Sequence, residues 1–246
     1  MTTFKQRLAA VEERIEAACN RAGRAPREVR LMAVSKAHPA SAIVEAVEAG
    51  VTLFGENRVQ EFERKQSELE AMGLCVEPSS QGHGIDVHMI GHLQSNKSAK
   101  AVEIFSAIDT VDSLRLAERL NESAARSGRV LPVFIEIKLS GETAKTGFDP
   151  AGRELREMLE HVSGLSQIKV SGLMTVPPLD DDPETARSYF RRLRELRDEL
   201  AGRHPKLDFA ELSMGMSGDF EIAIEEGSTL VRIGTALFGA RQKRTP

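Results

Sequence analysis

Two places in this chain of 246 residues end a short apolar run on a side chain that can do chemistry. Near the front, Arg30-Leu31-Met32-Ala33-Val34-Ser35 runs into Lys36; near the back, Leu230-Val231 runs into Arg232-Ile233-Gly234-Thr235. A lysine that terminates a buried strand is costly to desolvate in its charged form, so its pKa tends to fall and its amine becomes nucleophilic. Such an amine condenses with an aldehyde to a Schiff base. The back end offers a cation, small residues and hydroxyls, and it follows a second loop of the same kind, Ser213-Met214-Gly215-Met216-Ser217-Gly218-Asp219. Backbone N–H groups opened by small residues, together with Ser and Thr hydroxyls, suit a phosphate dianion.

These groups need a scaffold that brings them together. Short apolar runs at about 30–35, 51–54, 86–90, 104–109, 130–137, 168–173, 208–212 and 229–233 are mostly rich in Val, Ile and Leu and lack strict alternation. That pattern fits parallel strands buried on both faces. Between them lie helical patterns at 40–49, 57–72, 96–102, 113–127, 150–162, 183–202 and 218–226, with a closing helix over 235–241. Before the first strand, Phe4, Leu8, Val11, Ile15 and Ala18 have helical spacing, and Gly23 is a stop. Eight strands with helices between them predict a single (β/α)8 TIM barrel over residues 1–246, with an extra N-terminal helix. A doubly wound sheet fits less well, because the first strand runs into Ser35-Lys36-Ala37-His38-Pro39 and carries no glycine fingerprint.

In such a barrel, binding residues sit at the carboxyl ends of the strands, and phosphate is often held after strands seven and eight. Lys36, the 213–219 loop and Gly234-Thr235 all fall there. Each has a plainer reading when taken singly. A lysine after a strand is usually a solvated loop residue, a Gly-Met-Ser-Gly stretch is usually only a turn, and Arg232 could pair with a carboxylate. Their joint occurrence points to a phosphorylated aldehyde, and pyridoxal 5′-phosphate is the expected cofactor.

Composition narrows the remaining classes. The chain carries 33 basic and 37 acidic side chains, a net charge of −4, with no long run of one sign, so nucleic acid and membrane surfaces are not expected partners. No signal-like segment opens the chain and no apolar stretch approaches the roughly 20 residues that span a bilayer, so a cytoplasmic location is expected. Cys19 and Cys75 lack metal-like spacing and are expected to be reduced thiols. His88 and His92 are four apart, but at a strand end rather than on a helix, so no metal site is expected.

The strings AVSKAHP (33–39), FGENRVQE (54–61), HMIGHLQSNK (88–97), GLMTVPP (172–178) and LSMGMSGDFEIAIEEGSTLVRIGTALFGAR (212–241) occur in order along essentially the whole chain. Together they resemble the pyridoxal-phosphate homeostasis protein family, single-domain relatives of the alanine racemase N-terminal barrel. The resemblance implies that Lys36 carries the cofactor as a Schiff base. It implies further that Ser213, Gly234 and Thr235 hold the phosphate, that Arg232 faces the pyridine nitrogen, and that Asn57 and Met174 line the pocket. Asn57 also reads as a helix N-cap, with Gln60 three residues on. Ser95 and Lys97 could form a second anion contact at the rim. Val87, Met89 and Arg58 depart from the family pattern, which has aromatic residues there, and the loop at 75–84 is longer than usual.

Whether such a protein catalyses turns on its bases. A cation opposite the pyridine nitrogen disfavours protonation of the ring, which then withdraws electrons less strongly. A racemase also needs a proton donor on the face opposite the lysine, a tyrosine from a separate domain in the racemases, and the chain ends as the barrel closes. Its single tyrosine, Tyr189, falls mid-helix and reads as a packing residue. The expectation is a protein that holds and passes on the cofactor, with apo-enzymes as potential recipients and a monomeric state. The alternatives are an amino-acid racemase or lyase, and a barrel enzyme acting on a sugar phosphate.

Overall fold

The computed structural model describes residues 2–76, 84–140, 146–178, 180 and 182–240. Helix α1 (Phe4–Arg21) comes first, followed by eight strands: β1 (Arg30–Val34), β2 (Leu53–Glu56), β3 (Asp86–Met89), β4 (Ala107–Val111), β5 (Leu131–Glu136), β6 (Ile168–Met174), β7 (Glu211–Ser213) and β8 (Leu230–Ile233). The helices that follow successive strands are α2 (Ala40–Glu48), α3 (Val59–Ala71), α4 (Ser98–Ile104), α5 (Leu114–Arg126), α6 (Arg153–Val162), α7 (Arg187–Arg203), α8 (Phe220–Glu225) and α9 (Thr235–Phe238). All strand pairs are parallel, and β8 returns to β1 to close the barrel. This is the expected TIM-barrel architecture, extra N-terminal helix included.

The apolar patterning explains the layers. Helix α6 turns Leu155, Met158, Leu159 and Val162 toward the sheet, the i, i+3, i+4, i+7 spacing of one helix face. These residues join the large core between the strands and the helix ring. A second, smaller cluster of Met32, Leu53, Phe134, Met174 and Leu230, from five different strands, fills the barrel interior. The closing pair aligns Arg30 with Leu230 and Ala33 with Ile233. Residues 36 and 234–235, two hundred positions apart, therefore emerge from neighbouring strand ends.

Helix α1 supports the same side of the barrel. Thr3 caps it, accepting from the Gln6 N–H while the Gln6 side chain accepts from the Thr3 N–H. It buries Phe4, Leu8, Val11, Ile15, Ala18 and Cys19 against α8 and α9, which at six and four residues are too short to cover the strands alone. Each large apolar side chain so buried contributes about 1.5–3 kcal/mol.

Several element bounds differ from those expected. Strand β2 lies at Leu53–Glu56 rather than 51–54, because Val51 donates its N–H to Ala46 and so finishes the turn after α2. Strand β4 starts at Ala107 rather than 104, since Ile104 still belongs to α4 and Phe105 donates back to Ala101. Strand β7 is only Glu211–Ser213, and the Asp208 carboxylate, accepting from the Ala210 N–H, holds the preceding turn. Helix α9 stops at Phe238, where Gly239 takes a φ of 83°, and Arg241 lies outside the described residues. Most of the 75–84 loop also lies outside them. Among the described residues, no helix is long and apolar enough to cross a membrane, and neither cysteine forms a disulfide.

Candidate functional site

Lys36 sits two residues beyond β1, half-buried in a tight turn that the His38 N–H closes by donating to the Ser35 carbonyl, 3.1 Å. Its neighbour Ala37 has a φ of 64°, the one non-glycine residue with positive φ among those described. For an alanine that conformation costs about 1–2 kcal/mol. It is held by Glu61 Oε1, which accepts from the Ala37 N–H at 2.7 Å. The His38 ring stacks on Phe238, 5.0 Å between centroids, which ties this front turn to α9 at the back of the chain.

Asn57 stands at the end of β2, but it is not the helix cap. Arg58 occupies the N-cap of α3, with no side-chain cap bond, so the capping-box reading of Asn57 and Gln60 is corrected. The physical reason is that β2 runs on to Glu56, which sets the helix start one residue later. Asn57 Oδ1 is instead buried without a hydrogen-bond partner. A buried polar atom of that kind calls for a missing partner, since nearly all such atoms are satisfied. The backbone of Asn57 is pressed against Gly91, where a Cβ would lie 2.3 Å from the Asn57 carbonyl oxygen; only glycine fits.

Four buried polar side chains from four strands form a chain across the barrel. His88 Nδ1 lies 2.9 Å from Asp109 Oδ1, the Ser213 hydroxyl donates to Asp109 Oδ2 at 3.3 Å, and Arg232 Nη1 donates to Ser213 Oγ at 2.8 Å. Arg232 Nη2 donates to the Thr175 carbonyl at 2.9 Å. The guanidinium is therefore engaged by a hydroxyl and a carbonyl rather than by a carboxylate. Burial pulls Arg232 below the usual guanidinium range, opposed by the Asp109, Asp219 and Glu136 carboxylates. Met174 is buried in the interior cluster with Met32, Leu53, Phe134 and Leu230.

The two back loops are sewn together by a different serine. Ser217 Oγ accepts from the Gly234 N–H at 3.2 Å and from the Ala236 N–H at 3.3 Å, so its hydroxyl lies at the first turn of α9. Thr235 opens that turn and is exposed. Asp219 Oδ1 accepts from the Met216 N–H at 2.6 Å and shapes the loop. Gly215 allows it to pass: its φ is 96°, and a Cβ would lie 2.6 Å from that of Ala223. The structure thus brings Gly234 and Thr235 together with Ser217, and places Ser213 inside the barrel with Arg232. The motif that contains both serines could not separate them; strand β7 ending at Ser213 does.

Other groups at this end had no chemical signature in the sequence. Asp109 and Glu136 sat in apolar runs read as plain strands. Burial raises the Glu136 carboxyl above its ordinary value, against the Thr146 hydroxyl that donates to it at 3.1 Å. His92 pairs with Asp112 at 2.9 Å, whereas His88 pairs with Asp109, so the two histidines go to different carboxylates. Ser95 and Lys97 lie together on a 3₁₀ turn after β3. Val87 and Met89 are buried in the outer core. Tyr189 is on α7, in the outer ring.

The model of the alanine racemase N-terminal domain matches residues 6–242. A pyridoxal phosphate homeostasis protein of Aquifex aeolicus is 43% identical over 237 residues, covering 96% of this chain and 98% of the relative. The chain belongs to the pyridoxal phosphate homeostasis protein family. Among solved structures, PipY of Synechococcus elongatus, with pyridoxal phosphate bound, is 40% identical with a TM-score of 0.82, covering 96% of this chain and 100% of that one. An alanine racemase of Streptomyces lavendulae, 20% identical with a TM-score of 0.66, shares the fold; the match spans 95% of this chain and 57% of the racemase.

Proposed function

We propose that this protein binds pyridoxal 5′-phosphate as a Schiff base on Lys36 and takes part in holding and distributing the cofactor inside the cell. The observation that carries the reading is the β1–β8 closure, which sets Lys36, Arg232 and the 234–235 turn at one end of the barrel. The residues present fit the group. A half-buried lysine stands at the front, a hydroxyl-and-glycine cradle at the back, a buried cation lies between strand ends, and the orphaned Asn57 oxygen awaits a polar partner. The relatives' name and PipY's bound cofactor support the same ligand.

Within that site, Lys36 tethers the aldehyde, while Ser217, Gly234 and Thr235 hold the phosphate. Ser213 and Thr175 aim Arg232, whose cation opposite the pyridine nitrogen disfavours ring protonation. The bound cofactor supplies an electron-withdrawing ring, and a less protonated ring is a weaker electron sink. Tyr189, the one tyrosine, is on the outer helix ring rather than at the strand ends. Both features favour a carrier without sustained turnover. On the proposed reading it acts as a monomer in the cytoplasm and serves apo-enzymes that use the cofactor.

The test has two arms. Borohydride reduction of the loaded protein followed by peptide mapping should mark Lys36, and Lys36→Ala should abolish the covalent adduct and its absorption band. An undiminished adduct in that variant would overturn the tether. Incubation with a panel of amino acids in deuterated water should give no sustained α-proton exchange; steady exchange would move the protein to the racemase or lyase class.

A further inference from the structure

Both chain neighbours of Lys36 are gripped by one cluster of charges on α3 and β2. Ser35 is fully buried, and its hydroxyl donates to Glu56 Oε1 at 2.7 Å. Its carbonyl accepts from Lys65 Nζ at 3.0 Å. Lys65 also donates to Glu56 Oε1 at 2.7 Å and lies 3.0 Å from Glu61 Oε1. Glu61 in turn accepts from the Ala37 N–H, the residue held at positive φ. One buried lysine therefore connects residue 35 directly and residue 37 through Glu61. Glu61 and Lys65 are one helical turn apart, so both reach the same patch of backbone.

We infer that Lys65 and Glu61 are positioning residues for Lys36, fixing the 35–37 turn so that its amine meets the cofactor aldehyde. The inference rests on the Schiff-base reading above. Its physical basis is the cost of the cluster. Lys65 is 6% exposed, and a buried ion cluster is commonly no more stabilising than well-packed apolar residues of the same volume. Its distinctive product is geometric: it holds an alanine in a conformation that L-residues avoid, next to the nucleophile. Burial pushes Glu61 up, but the Ala37 N–H and the Lys65 amine outweigh it and hold the carboxyl below its usual range, so it stays an ionised acceptor.

The experiment separates the tether from the phosphate grip. Parent protein, Glu61→Ala, Lys65→Met and Glu63→Ala are titrated with pyridoxal 5′-phosphate, followed at its Schiff-base band, and with pyridoxine 5′-phosphate, which keeps the phosphate but has no aldehyde. Glu61→Ala and Lys65→Met should weaken the aldehyde ligand about tenfold or more, which is about 1.4 kcal/mol. They should leave pyridoxine 5′-phosphate within about twofold, well under that energy. Glu63→Ala, an exposed change on the same helix, should alter neither ligand. A Glu61→Ala protein that binds the aldehyde like the parent, or that loses both ligands equally, overturns the inference. Lys65→Met leaves Glu56 buried without its cation and could fail to fold, in which case Glu61→Ala, partly exposed at 26%, decides alone. Peptide mapping of reduced parent protein runs alongside. A label on another lysine fells the tether reading itself, whereas a label on Lys36 with unaffected variants fells only the positioning role.

Discussion

Replacing Ser213, which ends β7, and Ser217, in the loop after it, each with alanine should produce opposite defects. Ser217 Oγ accepts from two N–H groups at 3.2 and 3.3 Å at a half-exposed turn. Both contacts are long and water can replace them, so Ser217→Ala should cost the apo-protein no more than about 1 kcal/mol. On the proposed phosphate grip the same hydroxyl would meet a phosphate dianion in the loaded protein, and a hydrogen bond to a charged group contributes about 1.5–3 kcal/mol. Affinity for pyridoxine 5′-phosphate should therefore fall about 10- to 150-fold, at about 1.4 kcal/mol per decade. Ser213 is fully buried and accepts from the Arg232 guanidinium at 2.8 Å. Ser213→Ala leaves a buried cation short of an acceptor and should lower apo-protein stability by about 1.5–3 kcal/mol. It should leave affinity for the non-aldehyde phosphate within about threefold, an energy of about 0.7 kcal/mol. Urea unfolding of the apo-proteins supplies the first quantity and ligand titration the second. If Ser213→Ala abolishes phosphate binding while Ser217→Ala retains it, the division of roles between the serines is wrong.

Three further perturbations follow from the same geometry. Gly91→Ala forces a Cβ to 2.3 Å from the Asn57 carbonyl oxygen and should cost about 1–3 kcal/mol, read by denaturant unfolding; unchanged stability would mean that the backbone contact is not tight. Glu136 has its folded-state pKa raised by burial, so the stability it contributes is full below its ordinary value of 4.5 and is lost as pH rises through the raised value. Glu136→Gln, which keeps an oxygen for Thr146, should accordingly melt higher than the parent above that window, with the gap vanishing in acid; thermal scans across pH decide it. Glu226 is 5% exposed and pairs with Arg187 at 3.3 Å, Arg191 at 3.0 Å and Arg194 at 3.2 Å. Glu226→Gln should lower stability by about 1–3 kcal/mol, and an unaffected unfolding midpoint would show that this arginine cluster is merely a solvated face.

The barrel was legible because parallel strands covered on both faces must be nearly continuous apolar runs, and helices on a sheet must repeat at three and four residues. Phe4 to Ala18 and Leu155 to Val162 show both the pattern and the burial it implies. Strand ends were less legible, since Val51 and Ile104 are as apolar as any strand residue yet finish helices and turns. Asn57 looked like a cap because local spacing cannot tell how far the preceding strand runs. Asp109 and Glu136 gave no sign of their settings, because a charged residue in an apolar segment reads the same whether it faces water or a partner across the barrel, and Lys65 was hidden among the many charged residues of α3.

What the sequence determined by itself was the parts: a lysine just after one strand, an arginine in another, glycine and hydroxyls in the loops, and helical and extended periods that favour a barrel over a doubly wound sheet. Those are local properties, set by side-chain type and spacing along the chain. What only the tertiary structure decided was which parts meet. Closure of β8 on β1 carries residues about two hundred apart in sequence to adjacent strand ends, and the end of β7 at Ser213 leaves Ser213 to meet Arg232 while Ser217, in the loop beyond, meets Gly234. Contact between distant residues depends on strand order, pleat and barrel closure, and a serine four residues along a chain looks the same until the fold assigns it a side.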